Sequence, residues 1–333
     1  MNGIYTLAND VVHDQLVALL NSIEVNVGAD FPVAVIAYDD QLDLVKAEVA
    51  KRSNVELLND PGIFERWEDF SRQVWQTHPH ALKTWQEQGI QGVKRLGANH
   101  RYGAFDPAAP FEKFVYFDAD VLVLNQLDFI FEQLEKTEFA IYDFQYKDPS
   151  HIYNVDSPKF ATVFPEAKIR SEIFCSGFFG ARRGLFPPEQ RDWLVSQLAA
   201  GDADILYLGA PNQSVLNYAR MKAELSIHNF AIALGSDKAT GCAVTSPHFE
   251  ERDHLLYDKG NRVTFLHYIG LPAKLFTQVC AGENLDFPYR DIFLHYRYLH
   301  APEQRPQFSG QPKAWDAPPS FWTKVMKKVG LSR

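Results

Sequence analysis

Apolar and polar positions at the start of the chain alternate between short, continuously apolar runs and longer amphipathic stretches. Gly3–Ala8 reads as a strand. Asn9 or Asp10 then caps a helix whose apolar positions Val12, Leu16, Leu19, Leu20 and Ile23 recur at helical spacing. Pro32–Tyr38 is apolar throughout, as expected of a parallel strand buried on both faces. It ends in Asp39-Asp40, a helix-like stretch Leu42–Lys51 follows, and Val55–Leu58 reads as a third strand. This β-α-β-α-β order is the pattern of a doubly wound α/β sheet.

Residues 61–104 are rich in Trp, Gln and His and read as helical with an irregular end. A strand at 114–118, a helix near 127–135 and a strand Phe139–Tyr142 come next. The stretch 143–170 holds Pro149, Pro158 and Pro165 among aromatics and reads as a long active-site loop. Further on the pattern predicts a strand near Ile173–Ala181, helices at Pro188–Leu198 and Gln213–Met221, and a late strand Val263–His267. Beyond Pro302 the chain is proline-rich until a short helix from Ser320. The expected organisation is one α/β domain over 1–300 followed by a tail over 301–333.

Composition narrows the class. The 333 residues suffice for a large core, and 46% hydrophobic with 23% charged residues is ordinary for a globular protein. A net charge of −9 argues against nucleic acid as a partner, which requires clustered Lys and Arg. Cys175, Cys242 and Cys280 are odd in number, lack metal-type spacing, and read as buried free thiols of a reducing, cytoplasmic compartment. No apolar stretch has the length of a membrane span, and the N-terminus lacks the basic region of a signal peptide.

The chemistry concentrates in Phe114–Asn125, Phe-Val-Tyr-Phe-Asp-Ala-Asp-Val-Leu-Val-Leu-Asn. An apolar run delivers Asp118 and Asp120 to its carboxyl end, on one side if the backbone stays extended. Two unpaired carboxylates so close repel each other, and a divalent cation such as manganese or magnesium removes the repulsion. A strand end with two solvated acids is the plain alternative. His267 is the best third ligand: it ends Val-Thr-Phe-Leu-His and leads into a Gly/Pro turn carrying Lys274. Arg101 lies in a polar stretch before the acid-bearing strand, Cys175-Ser176-Gly177 forms a small-residue turn in an aromatic run, and Asn212-Gln213 opens a helix.

Taken in order, these pieces resemble the GT-A fold glycosyltransferases, most closely family eight, the glycogenin and bacterial galactosyltransferase-like group. The matching segments are Leu7-Ala8-Asn9-Asp10 after a terminal strand, Arg101, and Asp118-Ala119-Asp120 as the family's Asp-x-Asp. They continue with Cys175-Ser176-Gly177 in place of the usual Asn-Ala-Gly, Asn212-Gln213 in place of Asp-Gln, Leu216-Asn217, and His267-Tyr268-x-Gly270 with Lys274. The resemblance spans about residues 3–275 and implies a single Rossmann-like domain with a mixed central sheet. It also implies a UDP-sugar donor. Asp118, Asp120 and His267 would hold Mn2+ or Mg2+ against the donor's diphosphate, and Ala119, Gly270 and Lys274 would contact that donor. Thr6, Ala8, Asn9 and the Asp39 region would bind the nucleoside, Arg101 the sugar or phosphate, and Gln213 with Asn212 the sugar side. The activity implied is transfer of a hexose to a glycan, lipid or small-molecule acceptor.

Two other functions fit parts of the sequence. Phe117-Asp-Ala-Asp120 also resembles the nucleophile loop of haloacid-dehalogenase-type phosphatases, although Val121-Leu122 stand where that loop carries Gly-Thr. Asn212, in place of an acid, also suits a catalytically weak UDP-sugar-binding protein. In the tail, Phe321, Trp322, Val325, Met326 and Val329 fall on one helical face opposite Lys324, Lys327 and Lys328. That pattern suits either docking on the domain or peripheral contact of 320–330 with the inner membrane face.

Overall fold

The computed structural model describes residues 1–316, so the amphipathic segment expected at 320–330 lies outside the described residues. The twelve strands that matter are β1 Asn2–Ala8, β2 Val33–Ala37, β3 Val55–Leu58, β4 Lys113–Asp118, β5 Val121–Val123 and β6 Phe139–Ile141, then β7 Phe178–Arg182, β8 Ile227–Asn229, β9 Glu250–Arg252, β10 Leu255–Asp258, β11 Asn261–Arg262 and β12 Phe265–His267. Seven of them form the central sheet in the order β3-β2-β1-β4-β7-β6-β8. β1 pairs in parallel with both β2 and β4, while β7 runs antiparallel to β4 and to β6. The chain is thus α/β with a mixed sheet. All five residues of β2 are buried, which accounts for its unbroken apolar sequence.

Parallel neighbours place their carboxyl ends on one edge. The loops after Ala8 of β1, Ala37 of β2 and Asp118 of β4 therefore open onto the same crevice, where ligands of such sheets bind. The continuation into β5 leaves this sheet. β5 pairs antiparallel with β12, with Val121 opposite His267 and Leu122 opposite Leu266.

That departure creates a second core. The first surrounds the central sheet; the second gathers Leu122, Leu124 and Leu266 with Tyr268, Phe276, Phe287 and Phe293 from the helices Ala273–Cys280 and Arg290–Arg297 and their approaches. Phe308 packs on this second core and Lys313–Ala314 pairs with Leu285–Asp286, so the described part of the tail lies against the domain. The helix His13–Asn26 stands between the cores. Its Leu16, Leu19, Leu20 and Ile23 belong to the first, and Ala18 to the second. It is fixed to β5 by polar contacts: Ser22 Oγ accepts from Val123 N at 2.9 Å, and Asn26 Nδ2 donates to Val123 O at 2.9 Å and Tyr296 Oη at 2.9 Å.

Several expectations change at this level. The helices Pro61–Gln76 and Ala81–Glu87 bury Trp67, Trp75 and Trp85, so the tryptophans of 61–104 are core residues. The stretch 143–170 contains helices Phe160–Val163 and Glu166–Glu172 in place of one long loop. All three cysteines are free and only half-buried.

Asn26→Ala removes one amide that serves three partners, and Arg262 Nη2, which donates to Asn26 Oδ1 at 2.6 Å, loses its acceptor too. A loss of about 3 kcal/mol in unfolding free energy is expected in urea titrations, with the denaturant slope unchanged.

Candidate metal centre

The Asp-Ala-Asp segment is not extended. β4 ends at Asp118, Ala119-Asp120 turns, and β5 begins at Val121. The two acids are brought together by this turn and not by strand alternation. The register of β5 with β12 then sets His267 directly across from Val121, and Tyr268 N donates to Asp120 O at 2.9 Å. One ligand atom each from Asp118, Asp120 and His267 lies within 4.8 Å of the others.

Each acid has its own partner. His267 Nε2 lies 3.3 Å from Asp120 Oδ1. Arg101 Nη2 lies 3.1 Å from Asp118 Oδ1, which also accepts from Tyr116 Oη at 2.7 Å. The repulsion expected of two bare carboxylates is therefore relieved by cations of the chain itself. Burial works against the charge on both members of the Asp120–His267 pair. It pushes Asp120 up, but His267 holds it below the usual range; it pushes His267 down, but Asp120 raises it well above. Burial likewise disfavours charged Arg101, and Asp118 overrides this and raises it.

The donor set fits a divalent cation. Two carboxylates and an imidazole suit manganese or magnesium, and the backbone around them leaves room only for a glycine. A Cβ at Gly177 would stand 2.4 Å from His267 Cε1 and 3.1 Å from Asp118 Oδ2. The 175–177 turn that brings Gly177 there is held on every side. Asn217 bonds Phe174 N at 2.9 Å and Phe174 O at 2.8 Å, and Asp143 Oδ2 accepts from Cys175 N at 2.8 Å. Gln213 Oε1 accepts from Ser176 N at 2.9 Å. Ser176 Oγ accepts from Asn212 Nδ2 and Arg101 Nη1, each at 3.2 Å.

A cleft of about 330 Å³ opens beside the acids, lined by Ala8, Asn9, Tyr38, Arg95, Arg101, Asp118, Ala119, Asp120 and Leu271, with Gln15 and further apolar residues completing it. Asp39 joins it through Asn9, whose Nδ2 donates to Asp39 Oδ2 at 2.8 Å. His267 stands behind Asp120. Other residues singled out from the sequence are not brought to the cleft. Thr6 is fully buried in β1 with its hydroxyl unpartnered among the described residues. Gly270 and Lys274 are exposed, and neither lines the cleft. Asn212 and Gln213 open the helix Pro211–Lys222 and grip the 175–177 turn from behind; Gln213 Nε2 also donates to His151 O at 2.9 Å. A larger cleft of about 620 Å³ between the helix His13–Asn26 and residues 297–304 has acids that pair within the chain: Glu48 with Arg52 at 2.6 Å and Glu24 with His300 at 2.9 Å.

Asp143 escaped the sequence reading, although it follows an apolar strand just as Asp118 ends one. It is buried, accepts from Cys175 N and from Gln145 N, and desolvation pushes its carboxyl up to about 6.

No protein-family model and no curated protein matches this chain. Solved structures similar to it are glycosyltransferases. The galactosyltransferase LgtC, in complex with donor and acceptor sugar analogs, is 15% identical with a TM-score of 0.49, covering 84% of this chain and 94% of that one. Mouse xyloside xylosyltransferase 1, in its apo form, is 9% identical with a TM-score of 0.49, covering 69% of this chain and 85% of that one. The bifunctional glycosyltransferase WbbM is 12% identical with a TM-score of 0.48, covering 91% of this chain and 51% of that one.

The raised carboxyl of Asp143 gives a pH prediction. A group whose pKa is higher in the folded state favours folding below its unfolded value, and that favour fades as pH rises through the folded one. The stability of the native chain relative to Asp143→Asn should therefore fall between about pH 4 and pH 7, by on the order of 2–3 kcal/mol for a shift from 3.8 to about 6. Paired urea titrations at several pH values measure it.

Proposed function

We propose that the chain is a divalent-metal-dependent glycosyltransferase that moves a hexose from a UDP-sugar to a hydroxyl of a glycan, lipid or small-molecule acceptor. The observation that carries this reading is the convergence of Asp118, Asp120 and His267 at the edge of a cleft on the carboxyl ends of parallel strands. Asp118, Asp120 and His267 would hold Mn2+ or Mg2+. When bound there, the cation supplies positive charge where departure of UDP leaves negative charge on phosphate.

The chain's own residues prepare the site. Arg101 fixes Asp118, and with its guanidinium directed at Asp118, Ser176 and Ala98 it acts by positioning. Asn9 and Asp39, joined at the cleft's other end, suit the hydroxyls and polar edges of a nucleoside, with Ala8 as the backbone beneath. Ala119 joins the two acids at the cleft wall. Gly270 lies in the turn between β12 and the helix Ala273–Cys280 and Lys274 in that helix's first turn, both exposed and outside the cleft, so neither is given a contact to the donor. Gln213 Oε1 accepts from Ser176 N and Asn212 Nδ2 donates to Ser176 Oγ, so both amides serve the site by positioning the 175–177 turn. The phosphatase reading is not favoured, because Oδ1 of Asp118 is engaged by Arg101 and Tyr116 and is thereby weakened as a nucleophile.

No helix among the described residues is long and apolar enough to cross a membrane. Peripheral contact through 320–330 is part of the proposal and rests on the apolar and lysine pattern of that segment. Vesicles rich in anionic lipid should sediment the full chain and release a chain ended after Asp316. Equal retention of both overturns the contact.

Manganese with UDP should raise the melting temperature, and Asp120→Ala should abolish that rise. Affinity is expected to fall by more than the roughly tenfold to hundredfold typical of a lost outer-shell partner. Absence of a manganese-dependent shift with UDP in the native chain sinks the reading. Slow release of UDP from a UDP-hexose without acceptor separates a transferase from a protein that only binds the donor.

A further inference from the structure

Four charged residues line the cleft: Arg95, Arg101, Asp118 and Asp120. Three of them are already neutralised. Arg101 is buried against Asp118 at 3.1 Å, and Asp120 faces His267 at 3.3 Å. Arg95 differs from the others. It is exposed, and its guanidinium has no hydrogen bond, ion pair or aromatic partner among the described residues.

Its backbone is unusual as well. Arg95 has φ 55° and ψ 47°, the left-handed region that residues with a side chain seldom occupy. Two contacts fix the turn that Arg95 begins. Ala98 N closes a turn on Arg95 O at 2.9 Å, and Ala98 is buried. Gly97 lies so close to the end of β2 that a Cβ there would stand 2.3 Å from Tyr38 O. Pressed against Tyr38, the turn presents Arg95 to the cleft. A strained residue held by its neighbours and aimed into a cleft is a candidate ligand contact.

We propose that Arg95 is the anion-binding side chain of the cleft and takes the diphosphate of the donor through its forked guanidinium. The inference rests on the donor class proposed above and adds to it a residue that no sequence feature marked. Among the described residues, the charged side chains that line the cleft are paired except at Arg95. Planar, permanently charged guanidinium matches phosphate oxygens two at a time, which an ammonium does not.

Calorimetric titration of the full chain with UDP, inorganic pyrophosphate and uridine, in manganese, tests it. Arg95→Ala should weaken UDP and pyrophosphate by about tenfold to a hundredfold, as for loss of a hydrogen bond to a charged group, and leave uridine unchanged. Arg95→Lys should recover part of the loss. Arg95→Gly relaxes the backbone, so it should melt no lower than the native chain and still lose the anions, which excludes misfolding as the cause. Unchanged affinity of Arg95→Ala for both anions overturns the inference. Arg95-dependent pyrophosphate binding without UDP binding overturns the uridine donor and keeps the anion site. Failure of the native chain to bind either anion overturns both.

Discussion

A buried guanidinium organises this site. Arg101 cannot lose its proton, and removing it from water is costly unless its donors and its charge are matched. Its Nη2 faces Asp118, Nη1 the carbonyl and hydroxyl of Ser176, and Nε the carbonyl of Ala98, while the Tyr116 ring lies 4.9 Å from its centre. Three segments far apart in sequence are thereby joined: the turn before β4, the end of β4, and the turn before β7. Each of them contributes a wall of the site. Removing the cation would leave Asp118 paired with Tyr116 alone and leave the Ser176 carbonyl buried without its donor.

The same arrangement alters how the acidic pair is understood. Asp118 with Arg101 and Asp120 with His267 form two adjacent ion pairs, so the cluster is electrically settled without any added ion. A metal there would compete with the proton on His267 Nε2 for Asp120, while Arg101 already occupies one oxygen of Asp118. Selectivity at such a site depends on how far the chain's own cations give way, as well as on ligand number and distance.

Much of this was legible in the chain. Apolar runs of strand length marked β1, β2 and β4, because parallel strands buried on both faces have no polar side to show. That the ends of these runs at Asn9, Asp39 and Asp118 share one edge follows from the parallel pairing of β1 with β2 and β4. The acids and His267 were legible because charged or polar residues ending apolar strands are out of place in a core. Other parts left no such trace. β9 is Glu-Glu-Arg, exposed throughout, and is a strand only because β10 pairs with it. The turn at Ala119 depends on β5 pairing with β12, a contact across more than a hundred residues that periodicity does not carry. Arg95 was invisible because a cation left without a partner is defined by what surrounds it in space.

The helix His13–Asn26 has a further consequence. Its two flanks face different cores and its polar residues Ser22 and Asn26 reach β5, so little of its surface is free to meet water. A helix embedded in this way is a party wall between two rooms. Neither room can be emptied without exposing the other's plaster, so the central sheet and the β5–β12 lobe should melt as one cooperative unit. Asp118 and His267, which end β4 and β12, keep their spacing only while both cores stay packed.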